Sequence, residues 1–345
     1  MTKTIVTPIL MVLLFLQLFF TSCSDRLDTP YSETRFALGT TCTITVYRPG
    51  DIDVVDPAFL VVEEIEALMS AYLDNSEISG LNNLSGEGSV SLSEDTWLLL
   101  DRAKTYAELS GGAFDPTIGP LVDLWGIGEE GAAVPTSAEI ESALALVDYR
   151  QLSLIKATDS AELSKRGMKL DLGAIAKGYA ADKAAEVLKR AKVPWAIINF
   201  GGNVLTLGDR FGDGPWRIGI QDPEDERGAF IAVAKVVDKG VVTSGKYERF
   251  FVEGRKRYHH ILSTIDGMPI ENGIASVTAI SADATEADAF STLLFTLGLE
   301  EGIALARRTE GLKALFVMED GRIVPSEDPE GWLTGESDRY AIVYD

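Results

Sequence analysis

Between residues 195 and 281 the chain runs through four apolar, strand-like segments, at 195–200, 216–221, 230–237 and 276–281, with no helical pattern between them. A doubly wound parallel sheet needs a helical crossover of a dozen or more residues between successive strands. Strands that follow one another without helices call for antiparallel pairing instead. Further strands are expected at 41–47, 152–156, 168–172, 313–318 and 340–344. Helices are confined to other parts of the chain. Residues 57–72 carry Ile65, Leu68, Met69 and Tyr72 on one stripe, and Ser93-Glu94-Asp95 opens a second helix that stops near Gly111-Gly112. Thr136-Ser137-Ala138-Glu139 is a capping box, residues 175–191 read as a fourth helix, Asp283 caps a fifth ending near Gly298, and residues 299–308 form a sixth. The fold class is therefore α+β, a largely antiparallel sheet core with packed helices.

The N-terminus reads as an export signal. Lys3 precedes an apolar run over 5–20, followed by Phe20-Thr21-Ser22-Cys23. The run is too short for a comfortable membrane span. A Cys at the cleavage boundary is the pattern of a bacterial lipoprotein, although Phe20 stands where an aliphatic residue is usual. Residues 1–22 are thus expected to be a lipoprotein signal peptide, Cys23 the lipidated residue, 23–34 a polar tether and 35–345 one folded domain. The protein is expected to be exported and lipid-anchored to a bacterial membrane. Of the two cysteines, Cys42 is then left unpaired, so no structural disulfide forms, and its place in an alternating strand suits a small buried hydrophobe.

Charge narrows the ligands. The net charge is −22, and no cluster of Lys and Arg with interleaved aromatics interrupts it, so nucleic acid is repelled. A phosphorylated ligand would also be repelled unless a divalent cation or a placed Lys or Arg offset the field locally. The segment Asp171-Leu172-Gly173-Ala174-Ile175-Ala176-Lys177-Gly178 puts an acid, an amine and a tight turn at the start of a helix, where free N–H groups favour phosphate. Asp288 and Thr292 are four apart, so their oxygens leave one helix face. A carboxylate with a hydroxyl suits a hard cation better than zinc, and the Ala174 carbonyl is a candidate third ligand. On spacing alone such a pair is more often a cap or a solvated pair. His259 and His260 are the only histidines; in a strand one faces inward and the other outward, and an imidazole facing a cleft can act as a base. Asn199-Phe200-Gly201-Gly202-Asn203 and Thr243-Ser244-Gly245-Lys246-Tyr247 read as ligand-proximal turns or as ordinary ones. Neither a Walker loop nor a Rossmann glycine fingerprint is present.

Taken in order, these segments resemble the ApbE family, the FAD:protein FMN transferases. The resemblance runs from Leu38-Gly39-Thr40 to about Gly298 and includes Ser76-Glu77-Ile78-Ser79-Gly80-Leu81-Asn82, Gly112-Ala113-Phe114-Asp115-Pro116-Thr117 and Leu124-Trp125-Gly126. It implies an ApbE-like, T-fold-related architecture and a Mg²⁺-dependent reaction. FAD is split at its pyrophosphate, FMN passes to a threonine of an exported or membrane acceptor protein, of which membrane redox-pump subunits are the family's example, and AMP leaves. By position, Leu38, Tyr72, Ala113, Phe114, Asp115, Asp171, Lys177 and Leu262 would line the FAD site. Ala174, Asp288 and Thr292 would hold Mg²⁺, and His260 would stand near the reacting phosphate. Some family members hydrolyse FAD to FMN and AMP instead, and a lipoprotein that binds flavin without cleaving it is the other alternative. Two departures are visible: Leu38 replaces the common Met, and Ser263-Thr264 with Asp266-Gly267 stand where the family usually has Asp-Pro and Thr-Gly.

Overall fold

A computed structural model describes residues 29–226, 228–335 and 337–344. The expected signal peptide, Cys23 and the first part of the expected tether lie outside the described residues. The main sheet has nine strands: β1 (Tyr31–Ala37), β2 (Thr40–Val46), β3 (Ala196–Phe200), β4 (Asn203–Leu207), β5 (Gly240–Gly245), β6 (Ile274–Ser281), β7 (Lys313–Met318), β8 (Arg322–Pro325) and β9 (Ala341–Ile342). Their order across the sheet is their order along the chain. Each neighbouring pair is antiparallel except the last, where β9 runs parallel to β8. The sheet is thus a meander with long insertions. Residues 31–34, expected in the tether, are instead the first half of β1, registered against Thr43–Val46 of β2.

Eight α-helices are described: α1 (Val55–Met69), α2 (Glu77–Asn83), α3 (Glu94–Leu109), α4 (Gly119–Trp125), α5 (Ser137–Leu144), α6 (Ala176–Arg190), α7 (Ala284–Leu297) and α8 (Leu299–Arg308). The first six lie in the insertion between β2 and β3. Sequence caps act as expected: the side chains of Ser93, Thr136 and Asp283 accept from Thr96, Glu139 and Glu286 backbone N–H groups, and Thr136 and Glu139 close a capping box. Among the described residues no helix is long and apolar enough to cross a membrane.

Alternation along the strands builds a core on each side of the sheet. Val242, Val277, Ala279, Ala314 and Phe316 join Phe59, Leu188 and Phe290 of α1, α6 and α7 on one face. Val241, Ile280, Leu315 and Val317 face the other way, under a three-stranded sheet contributed by Trp216–Gln221, Phe230–Val236 and Leu333–Gly335. Each large apolar side chain sealed in this way is worth about 1.5–3 kcal/mol.

Further expectations are corrected. Thr243, Ser244 and Gly245, read as part of a turn, are the last residues of β5. Residues 168–172 are not a strand; only Lys169 makes a bridge, parallel to Ile118. The last strand shortens to Ala341–Ile342. The first helix ends at Met69 with an extended Ser70, so Tyr72 lies beyond the helical stripe and is 66 % exposed.

Candidate functional site

The site is organised by two helices that cap each other. On α6, the Asp182 carboxylate accepts from the N–H groups of Ala284 and Thr285 (2.9 and 2.8 Å) and from the Thr285 hydroxyl (2.6 Å), closing the start of α7. On α7, Asp288 Oδ2 accepts from Gly178 N–H (2.9 Å), one of the open donors in the first turn of α6. Residue 178 must be glycine for this approach, because a Cβ would fall 2.8 Å from Asp288 Cβ and 2.7 Å from the Ala284 carbonyl carbon. Burial and the neighbouring Asp283 push the Asp182 carboxyl up to about 6, while Asp283, bonded twice by Arg102 at 3.0 Å, is held below the usual carboxylate range.

This arrangement leaves Asp288 Oδ1 open. The carboxylate is buried, and its remaining oxygen faces only the Lys177 amine, 3.7 Å away. Lys177 Nζ in turn donates to the Gly173 carbonyl at 2.7 Å, next to Ala174. One turn along α7, the Thr292 hydroxyl shares a hydrogen bond with Ser244 Oγ of β5 (3.0 Å), which also meets Ser291 Oγ at 2.7 Å. Ser291 donates back to the Asp288 carbonyl at 2.8 Å. The candidate ligand atoms here are all oxygen, and a buried carboxylate oxygen met only by an amine 3.7 Å away suits a hard divalent ion. Among the described residues there is no cluster of three His, Cys, Asp or Glu of the kind zinc takes.

The remaining candidates surround this point unevenly. Asp171 Oδ1 accepts from Gly173 N–H at 2.8 Å and fixes the turn. Burial raises the Asp171 carboxyl, and the charges of Lys177 and Arg249 pull it back. Leu38 takes a left-handed backbone (φ 54°) that the Glu66 carboxylate holds by accepting its N–H at 2.8 Å. Ala113 is half-buried. Asp115 spends its oxygens on its own loop, on Thr117 N–H and hydroxyl (2.8 and 2.7 Å) and on Tyr149 N–H (2.8 Å), so it shapes the wall. The side chains of Phe114 and Leu262 pack inward, against Tyr106 and with Leu121 and Trp125 respectively. The Ser263 hydroxyl accepts from Ile265 and Asp266 N–H groups (3.2 and 3.3 Å), so it caps the turn where the family usually has a carboxylate. Thr264 then ties this turn to the Gly112 carbonyl at 2.8 Å.

The histidine pair divides as alternation predicts. His259 is buried, with Nε2 bonded to the Ile270 carbonyl at 2.9 Å and Nδ1 accepting from Ile261 N–H at 3.3 Å. His260 is half-buried, with Nδ1 3.3 Å from the Arg249 carbonyl. Burial lowers both imidazoles to about 4. For His259 the folded value lies below the unfolded value, so the unfolded chain binds more protons between pH 6.5 and 4. The stability it contributes is present above pH 6.5 and is lost as pH falls toward 4, up to about 3 kcal/mol. Asp182 acts in the opposite sense. The expected result is that His259→Gln destabilises clearly at pH 7.5 and little at pH 4.5, read as urea midpoints of the two proteins.

Two features were not singled out from sequence. Asp182 as the cap of α7 depends on residues about 100 apart in the chain. Arg249 gains meaning only through the loops that the fold brings to it.

Comparison with known proteins places the chain in a family. The ApbE family signature matches residues 38–316. A FAD:protein FMN transferase of Treponema pallidum is 38 % identical over 320 residues, covering 88 % of this chain and 88 % of the relative. One from Klebsiella pneumoniae is 38 % identical over 296 residues, covering 86 % and 92 %. The crystal structure of the ApbE protein of Thermotoga maritima superposes with a TM-score of 0.79 at 35 % identity, covering 86 % of this chain and 96 % of that one. With the signature spanning most of the chain and such relatives covered almost end to end, this protein belongs to the ApbE family.

Proposed function

We propose that this protein is a FAD:protein FMN transferase that cleaves the FAD pyrophosphate, attaches FMN to a threonine hydroxyl of an acceptor protein and releases AMP. The observation that carries this reading is the buried Asp288 carboxylate, with one oxygen capped by Gly178 and the other open beside Lys177. The transferase names of relatives 38 % identical over most of the chain support it.

Asp288, Thr292 and the Ala174 carbonyl would hold Mg²⁺, which supplies charge neutralisation on the diphosphate and polarises the phosphorus under attack. Lys177 supplies a fixed positive charge against the −22 field of the chain. With its Nδ1 proton directed at the Arg249 carbonyl, neutral His260 keeps Nε2 free to accept the proton of the acceptor hydroxyl. The threonine oxygen forms its bond to the phosphorus of the FMN half, the bond from that phosphorus to the bridging oxygen breaks, and AMP departs with that oxygen. Leu38 and Tyr72 offer apolar and aromatic surface at the rim for the flavin or adenine ring.

Incubation with FAD, acceptor protein and Mg²⁺, followed by nucleotide chromatography, tests this. AMP together with covalently yellow acceptor is the expected result, and chelation with EDTA should abolish both. AMP with free FMN would make the protein a hydrolase, and intact FAD a flavin binder.

Its place in the cell is proposed on the same terms: export, lipid attachment at Cys23 and an acceptor in the same compartment. The support is the charged start, the short apolar run and the Thr21-Ser22-Cys23 boundary. Cells fed labelled palmitate should label the protein, and Cys23→Ser should remove the label; a labelled Cys23→Ser protein would refute the anchor.

A further inference from the structure

Several cations of this acidic chain are engaged by carboxylates: Arg35, Arg102 and Lys246 each sit against one at 3.0 Å or less. Arg249 is not. It is exposed, and among the described residues its guanidinium has no ion pair and no side-chain hydrogen bond. Its backbone is held at the site, since its carbonyl accepts from His260 N–H at 3.1 Å and lies 3.3 Å from His260 Nδ1.

The side chain runs between two glycines. A Cβ on Gly128 would lie 3.6 Å from Arg249 Cδ, and a Cβ on Gly39 would lie 3.8 Å from Nη2. Both glycines have left-handed backbones (φ +100° and +66°) that disfavour any side chain, so the space beside the guanidinium stays open. Arg249 therefore bridges the Leu38-Gly39 turn and the 126–134 loop, directly beside candidate flavin-lining Leu38. Lys177 stands at the start of α6. Asp171 and His260 each feel the charge of both Lys177 and Arg249, so the two cations border one space. Lys177 is bonded to Gly173, whereas Arg249 is uncommitted.

We propose that Arg249 clamps the diphosphate of the flavin donor, its guanidinium fork gripping phosphate oxygens from the wall made by the Leu38-Gly39 turn while Lys177 serves them from α6. A planar fork is suited to bidentate phosphate contact, and an unpaired cation needs no partner displaced before it binds. This inference rests on the FAD reading above, and deepens it by naming which part of the donor Arg249 recognises.

The test compares FAD with riboflavin, which shares the ring and ribityl chain and carries no phosphate. Flavin fluorescence is recorded by stopped flow in Mg²⁺, without acceptor and before AMP forms, for the wild type, Arg249→Ala and Arg249→Lys. Arg249→Ala should weaken FAD roughly 10- to 100-fold and leave riboflavin within about twofold, the loss expected of hydrogen bonds to a charged group. Arg249→Lys should recover part of the FAD affinity. Equal weakening of both flavins, or no weakening of FAD, would overturn the clamp while leaving the transferase reading intact. A wild-type protein that binds no FAD would overturn that reading and the clamp with it.

Discussion

Asp288→Asn is expected to reduce AMP release from FAD by about 10³-fold while the protein stays folded. Asparagine keeps an oxygen to accept from Gly178 N–H, so the cap on α6 survives. What disappears is the negative charge at the open oxygen beside Lys177. If that oxygen holds a divalent ion, binding of the ion and the chemistry it supports fail together. Asp288→Ala should lose the same activity and in addition about 1–3 kcal/mol of stability, because the buried Gly178 donor is left without a partner. Nucleotide chromatography and urea unfolding on both variants separate the two effects. Full activity in Asp288→Asn would remove the carboxylate from the reaction.

Gly178→Ala carries the second large effect, and on stability. The new methyl would meet the Ala284 carbonyl oxygen, the carbonyl carbon at 2.7 Å and Asp288 Cβ at 2.8 Å. Two of these are backbone atoms at the start of α7, and no rotamer change moves them. The helices must part, which breaks the Gly178 to Asp288 bond and loosens the Asp182 cap in the same movement. Overpacking of this kind costs about 1–3 kcal/mol, and the lost buried hydrogen bond adds a comparable amount. A urea midpoint close to that of the wild type would show that α6 and α7 are not locked as described.

Elements with local chemistry were legible in the chain. Caps at Ser93, Thr136 and Asp283 marked three helix starts, and apolar strand-like runs marked five of the nine main-sheet strands. The one-face spacing of Asp288 and Thr292 and the inward and outward division of His259 and His260 were equally local. The misreading at 168–172 has a clear cause. Met168, Leu170 and Leu172 are all buried, so the period is that of a strand. The backbone, however, is served by other groups: Asn82 bonds both the N–H and the carbonyl of Leu170, Pro116 accepts from Asp171, and Gly119 donates to Lys169. Alternation reports burial and says nothing about which group satisfies the backbone. All of β1 escapes such a pattern for the reverse reason. Its residues alternate between half-buried and exposed, as a sheet edge permits, and only the pairing with β2 reveals a strand. The mutual capping of α6 and α7 joins residues 102 to 110 apart, beyond any local pattern.

The central claim is that Asp288 and Thr292 seat a divalent cation against the diphosphate of FAD. Crystals grown with Mn²⁺ and ADP, with data collected at the manganese edge, test it most directly. The account predicts an anomalous peak within coordination distance of Asp288 Oδ1, Thr292 Oγ1 and phosphate oxygens. Nucleotide bound in the cleft with no metal peak at those oxygens, or a peak held by other residues, would contradict it.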